Sequence, residues 1–180
     1  MRKIYPNINL EFVTENQHKI AYVTLNRADK HNGLTLPMLQ GLADVAHDLR
    51  KDTLVRAVVL QGAGESFCAG LDFKTVTKTP FKILQAFRKP VLESRNLFQE
   101  SIWAWRMLPM PVIAVVHGAC FGGGLQLALA ADFRFARADS RWAIMESKWG
   151  LIPDMTGAQT LAEVMRHDLA KKYAMTGEVF

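Results

Sequence analysis

Cysteine is scarce in this chain. Only Cys68 and Cys120 occur among 180 residues, far apart and without a CxxC spacing. That pattern argues against a disulfide framework and against a zinc site, and it favours free thiols in a reducing compartment, the cytoplasm. A long unbroken apolar run is missing too. The longest stretch without charge, Met107 to Ala131, is interrupted by Pro109, Pro111, His117 and several glycines, so no membrane span is expected. The N-terminal MRKIYPNINL has neither a sustained apolar segment nor a small-residue cleavage site, which argues against secretion. His18, His31, His47 and His167 form no metal-like spacing. Charge of one sign does not dominate either. The 22 basic and 17 acidic residues leave +5, which suits a phosphorylated ligand and equally suits nucleic acid or no anionic partner.

What is present reads as one soluble globular domain over residues 1–180, with 49% hydrophobic and 22% charged residues. Strand and helix patterns take turns along it. Lys19 to Leu25 alternates, with Ala21, Val23 and Leu25 on one face, which predicts a strand. From Pro37 to Lys51, Leu39, Leu42, Ala46 and Leu49 recur at helical spacing. Arg56 to Gln61 carries AVVL, the mark of a strand buried on both faces, so the three elements read as a βαβ crossover. Residues 80–107 read as helical on both sides of Pro90, with Phe98, Ile102 and Trp105 sharing a face. PVIAVV at 111–116 predicts a second buried strand, followed by glycines that run into a helix. Short strands are expected at 132–136 and 141–145, and helices at 160–166 and 168–175.

Two glycine-rich loops thus follow buried strands in equivalent places: GAGESFCAGLDFK at 62–74 and HGACFGGG at 117–124. Neither fits GxGxxG or ends in GK[ST], so the two familiar phosphate cradles are disfavoured. Glycines here serve tight strand-to-helix turns, or they let a ligand approach the backbone, whose N–H groups near a helix start favour negative charge. A pair of such loops is able to offer one N–H each to a single oxygen.

FCAGLD at 67–72, HGACFGGGLQLALAAD at 117–132, NRADKHNGL at 26–34 and MESKWGLIPD at 145–154 together resemble the crotonase, or enoyl-CoA hydratase/isomerase, superfamily. The resemblance implies an α/β fold of repeated ββα units around a twisted sheet, acting on acyl-CoA thioesters. Coenzyme A would arrive as part of the substrate, with no separate cofactor, and the full-length protein would form trimers or hexamers without nucleic acid or membrane partners. It further implies that the chain stops before the family's C-terminal helical part. The backbone N–H groups of Leu71 and Gly123 would form an oxyanion hole for the thioester oxygen. Ala69, Asp72, Phe73 and Lys74 would lie along the bound CoA ester, as would Arg27 and Lys30 near its phosphates. Asp72 reads as a capping or structural carboxylate rather than a base, and Cys68 as a packed small residue rather than a nucleophile.

The proton-transfer groups decide the reaction. Hydratases of the superfamily have two glutamates, and where the first would stand this chain has Gln126, an amide that cannot act as a general base near neutral pH. The second position is filled by Glu146, expected at a strand end, and Asp154 follows after Pro153. Glu146 with Asp154 resembles the spacing in dienoyl-CoA isomerases, whereas isomerases that shift one double bond need only the Glu146 position. Asp154 also resembles the nucleophile of haloaryl-CoA dehalogenases. An isomerase is therefore favoured, with a hydratase as the alternative. Trp149 reads as core or as an acyl-pocket wall, and His117 as a structural histidine. A further alternative is an inactive member of the fold that binds RNA or CoA, for which RHDLAKK at 166–172 would be the evidence; no aromatic RNA-binding signature accompanies it.

Overall fold

The computed structural model describes residues 4–89 and 94–180; Pro90, at the middle of the expected helical stretch, lies outside them. Strand β1 (Ile8–Glu15) pairs antiparallel with β2 (His18–Leu25). The two-residue connection, Asn16 and Gln17, has φ of 48° and 69°, the mirror-image turn that matches strand twist. The sequence reading did not anticipate β1. It is an edge strand in which Ile8 is the buried residue, so its alternation never becomes a clear apolar face.

Helix α1 (Leu36–Lys51) carries the chain to β3 (Val55–Gly62), parallel to β2, which confirms the crossover. Thr35 caps α1 by accepting the Met38 N–H at 3.4 Å, Pro37 sits in the first turn, and Leu39, Leu42, Ala46 and Leu49 are buried as their spacing predicts. The short α2 (Phe73–Val76), α3 (Pro80–Phe87) and α4 (Leu97–Arg106) follow. Phe98, Ile102 and Trp105 form the buried face of α4. Next come β4 (Val112–Val116), β5 (Ala119–Phe121), α5 (Gly123–Ala130), β6 (Phe133–Ala136) and β7 (Arg141–Ala143). The chain closes with a 3-10 turn at Glu146–Trp149, α6 (Gly157–Val164) and α7 (His167–Thr176).

The strands form two layers. The main sheet has the order β1-β2-β3-β4-β6, all parallel after the first pair. The second strand of each later unit belongs to a smaller layer, where β5 pairs with β7 and isolated bridges join Leu34 to Leu71, Cys68 to Cys120 and Ala143 to Val179. The molecule is thus an α/β fold of repeated strand–strand–helix units. One expectation is corrected: β3 and β4 are fully buried on one face only. Val58, Leu60, Val112, Ala114 and Val116 face the helices, while Val115, Phe133 and Phe135 on the other side are exposed.

The turn out of β4 depends on Gly118, at φ 56°, where an added Cβ would overlap the Glu65 carbonyl of the neighbouring loop. Gly118→Ala should therefore combine left-handed strain with a backbone clash and cost about 2–5 kcal/mol of unfolding free energy in urea titration. An unchanged midpoint would show that the two loops do not meet there.

Candidate active site

The bridge between Leu34 and Leu71 explains why one backbone donor is free. The Leu34 N–H donates to the Gly70 carbonyl at 2.7 Å and the Asp72 N–H donates to the Leu34 carbonyl at 2.9 Å. Peptide groups on either side of Leu71 are consumed, and strand alternation turns the Leu71 N–H the other way. Gly123 opens α5, so its N–H has no acceptor one turn back. Its neighbours are engaged: the Gly122 N–H goes to the Ala143 carbonyl at 2.9 Å, and the Gly122 carbonyl accepts the Gln126 N–H at 3.0 Å. Among the described residues, neither the Leu71 nor the Gly123 N–H finds an acceptor. Gly70, at φ 93°, lets the loops close on each other, since its Cβ would come within 2.9 Å of the Phe121 carbonyl and 3.6 Å of the Gly123 nitrogen. Leu71 and Gly123 line one cavity of about 530 Å³.

A polar hub holds the first loop. Asn32 is fully buried and donates to the Ala63 and Ser66 carbonyls at 2.9 and 2.8 Å, while its Oδ1 accepts the Arg27 N–H at 2.8 Å. Asp72 caps α2 by accepting the Thr75 N–H at 3.1 Å, and it pairs with Arg27 at 2.8 Å. This pair and the cap hold the Asp72 carboxyl below the usual carboxylate range despite the burial that opposes them. Asp72 is thus the structural carboxylate expected. Arg27 is committed to Asp72 and to the Gly33 carbonyl at 2.9 Å. Lys30 and Lys74 are exposed outside the cavity wall. Ala69 and Phe73 do line the cavity. Cys68 is buried, its thiol donates to the Asn32 carbonyl at 3.2 Å, and burial pushes its pKa up to about 12. His117 meets the Gly64 carbonyl at 2.9 Å, the structural role expected of it.

Glu146 and Asp154 line the same cavity. Glu146 opens the 3-10 turn rather than ending a strand, because β7 stops at Ala143 and Gly150, in the left-handed region, closes the turn. Its Oε1 accepts the Gln126 amide at 2.6 Å, and its Oε2 is buried with no partner in the protein. Burial pushes the Glu146 pKa up and nearby Asp154 adds to the rise, while the backbone N–H of Glu146 itself, the Gln126 amide and the Met145 backbone oppose it. Asp154 is the more exposed acid, and desolvation on its cavity side still raises its pKa. Glu146 is therefore no surface ion-pair partner. The rest of the wall is mostly apolar and aromatic, including Phe87, Phe98, Phe121 and the exposed Trp149, with Thr77, Gln126 and Lys148 as its other polar members. Trp149 is 61% exposed and stacks on Phe73 at 4.7 Å between ring centres, so the core reading of it is corrected.

Sequence reasoning missed the link that organises these groups. The Gly157 N–H donates to Gln126 Oε1 at 2.7 Å, and nothing local in the sequence signals a contact 31 residues apart. A larger cavity of about 750 Å³ lies near α1 and α4, away from both glycine loops; the carboxylate on its wall, Glu100, is already paired with His47 and Arg95. Among the described residues no group of His, Cys, Asp or Glu is placed to hold a metal ion, and no helix is long and apolar enough to cross a membrane.

The Cys68 environment gives a direct chemical check. At pH 8 the native protein should leave Cys68 unalkylated by iodoacetamide over hours while the unfolded chain reacts completely, as read by peptide mass spectrometry. Rapid native modification would mean the loop opens.

Comparison with known proteins agrees with the geometry. Residues 15–180 match the family described as enoyl-CoA hydratase/isomerase. The Bacillus subtilis protein YngF, named for that family, is 36% identical over 167 residues, covering 92% of this chain and 61% of YngF. The mitochondrial Δ(3,5)-Δ(2,4)-dienoyl-CoA isomerase of Homo sapiens is 32% identical over 172 residues, covering 91% of this chain and 52% of that protein. A crystal structure of a protein from Streptomyces coelicolor, described as a putative enoyl-CoA hydratase, superposes with a TM-score of 0.85 at 32% identity over 98% of this chain and 62% of the other. The chain thus spans about three fifths or less of these relatives' length. Its paired glycine loops, the two free N–H groups they present and the match over nearly its whole length make it a member of the enoyl-CoA hydratase/isomerase family.

Proposed function

We propose that the protein moves a carbon–carbon double bond in an enoyl-CoA thioester, with Glu146 as the group that carries the proton. The observation that supports this reading over hydration is the orientation of Gln126. Its oxygen accepts the Gly157 N–H, so at this position Glu146 meets an amide donor and not a second carboxylate; the other acid on the cavity wall is Asp154. Addition of water needs an acceptor to draw its proton, and a second one next to Glu146 is missing at this position. Isomerisation needs no such pair.

The steps balance without redox chemistry. Glu146 Oε2 takes a proton from C2 of a 3-enoyl thioester, and the electron pair moves into a dienolate with its charge on the thioester oxygen. The Leu71 and Gly123 N–H groups stabilise that oxygen; one such donor is typically worth roughly 3–4 kcal/mol. Glu146 then returns the proton to C4, and the double bond lies between C2 and C3. A carboxyl whose pKa burial has raised is suited to both halves of the transfer. The aromatic walls favour a neutral apolar acyl group. No cofactor beyond the CoA of the substrate enters, and assembly into trimers or hexamers belongs to the same proposal.

Asp154 supports a second version of this reading. It is another acid on the same cavity wall, and with Glu146 it would serve proton transfer at the two ends of a 3,5-dienoyl chain. The human dienoyl-CoA isomerase among the relatives is consistent with that version.

The full-length protein should convert 3-enoyl-CoA to 2-enoyl-CoA in heavy water without adding solvent water to the product, followed by chromatography and mass spectrometry. Glu146→Gln should lower that rate by about 10²–10⁴-fold. Asp154→Asn should spare the single-bond shift and impair only a 3,5-dienoyl substrate. Hydration of a 2-enoyl substrate as the sole reaction would sink the isomerase reading.

A further inference from the structure

Gln126 is buried at 1% exposure on α5 and touches two elements that are far from it in sequence. One is the start of α6. Thr156 precedes that helix at φ 73°, makes no side-chain cap, and has its Oγ1 buried without a partner. Gln126 Oε1 does the capping in its place, through the Gly157 N–H at 2.7 Å. That contact assigns the amide: a flipped group would set N–H against N–H. The NH₂ end consequently faces Glu146 Oε1 at 2.6 Å, and only one of the two carboxyl oxygens is tied.

We propose that Gln126 is the positioning residue of the Glu146 carboxyl: locked by Gly157, it holds Oε1 and leaves the unpartnered Oε2 to carry the proton. The residue at 157 must then be small for a specific reason. A Cβ there would lie 2.6 Å from Gln126 Oε1 and 2.7 Å from its Cδ, so any side chain displaces the amide. Gly157 acts through Gln126 and touches no substrate. The inference rests on the reading of Glu146 as the acid/base of the proposed reaction.

The groups around Glu146 fix the sign of the expected pH effect. Asp154, from the loop before α6, raises its proton affinity; Lys148, on the same turn, lines the cavity; Gln126 is the side-chain donor that favours the ionised carboxylate, beside the backbone of Glu146 and Met145. A base must be ionised to accept a proton, so activity rises with pH through the Glu146 titration. Removing the donor raises the Glu146 pKa and moves that acid limb upward.

Gln126→Glu separates capping from positioning, because it keeps an oxygen for the Gly157 N–H and replaces the donor by a second acid. In the full-length enzyme its kcat/KM profile should shift upward by at least one pH unit, with at least a tenfold loss below the limb and a thermal midpoint near wild type. Gly157→Ala, with both side chains intact, should lower kcat several-fold and leave KM unchanged. The carboxyl carbon of Glu146, followed by ¹³C NMR in glutamate-labelled protein and assigned with Glu146→Gln, should titrate at higher pH in Gln126→Glu whatever the product. An unmoved NMR titration, with Glu146→Gln inactive, overturns the positioning role alone and leaves Gln126 as a cap. Undiminished isomerisation by Glu146→Gln overturns the catalytic reading on which the proposal stands.

Discussion

Most backbone N–H groups within a fold find an acceptor, and the site depends on two in one cavity wall, at Leu71 and Gly123, that do not. Each exception has a local cause. At Leu71 a single β-bridge to Leu34 consumes the peptide groups on either side and turns the Leu71 N–H away. At Gly123 the start of α5 removes the acceptor that a residue further into the helix would have had. The two loops then need only be close, and the bridge between Cys68 and Cys120 joins them side by side. The buried Asn32 and the Arg27–Asp72 pair keep the first loop from relaxing toward some internal acceptor.

The acids obey a complementary constraint. Desolvation makes a buried carboxylate unfavourable, and one donor offsets only part of that cost. Glu146 sits between these limits, with one oxygen held by Gln126 and the other unsatisfied. The same amide serves two ends: its oxygen completes α6 and its nitrogen steadies the acid, so the helix start and the proton-transfer group are one unit.

Much of this was legible in the chain. Ala21, Val23 and Leu25 predicted β2 because alternation survives wherever one strand face is buried, and Leu39, Leu42, Ala46 and Leu49 predicted the buried stripe of α1. The glycines at 70 and 118 pointed to close loops because glycine alone tolerates such φ values cheaply. Other features depend on partners remote in sequence. The edge strand β1 buries too little to show a pattern. Glu146 read as a strand end, yet its turn is set by Gly150 and by an acceptor for the Leu151 N–H. Trp149 read as core because tryptophan usually is, and only the position of Phe73 places it at the mouth. Gln126 was legible as a missing base, whereas its fixed orientation required Gly157.

Trp149 also makes the cavity mouth visible to light. Its indole is largely in water and leans on the Phe73 ring, while Trp105 is sealed in the core. Any planar group that enters between the mouth and the solvent changes the polarity around that indole, whereas Trp103, Trp105 and Trp142 do not line the cavity. The protein therefore carries an optical reporter of occupancy in its own sequence, next to the short helix that the Arg27–Asp72 pair fixes in place.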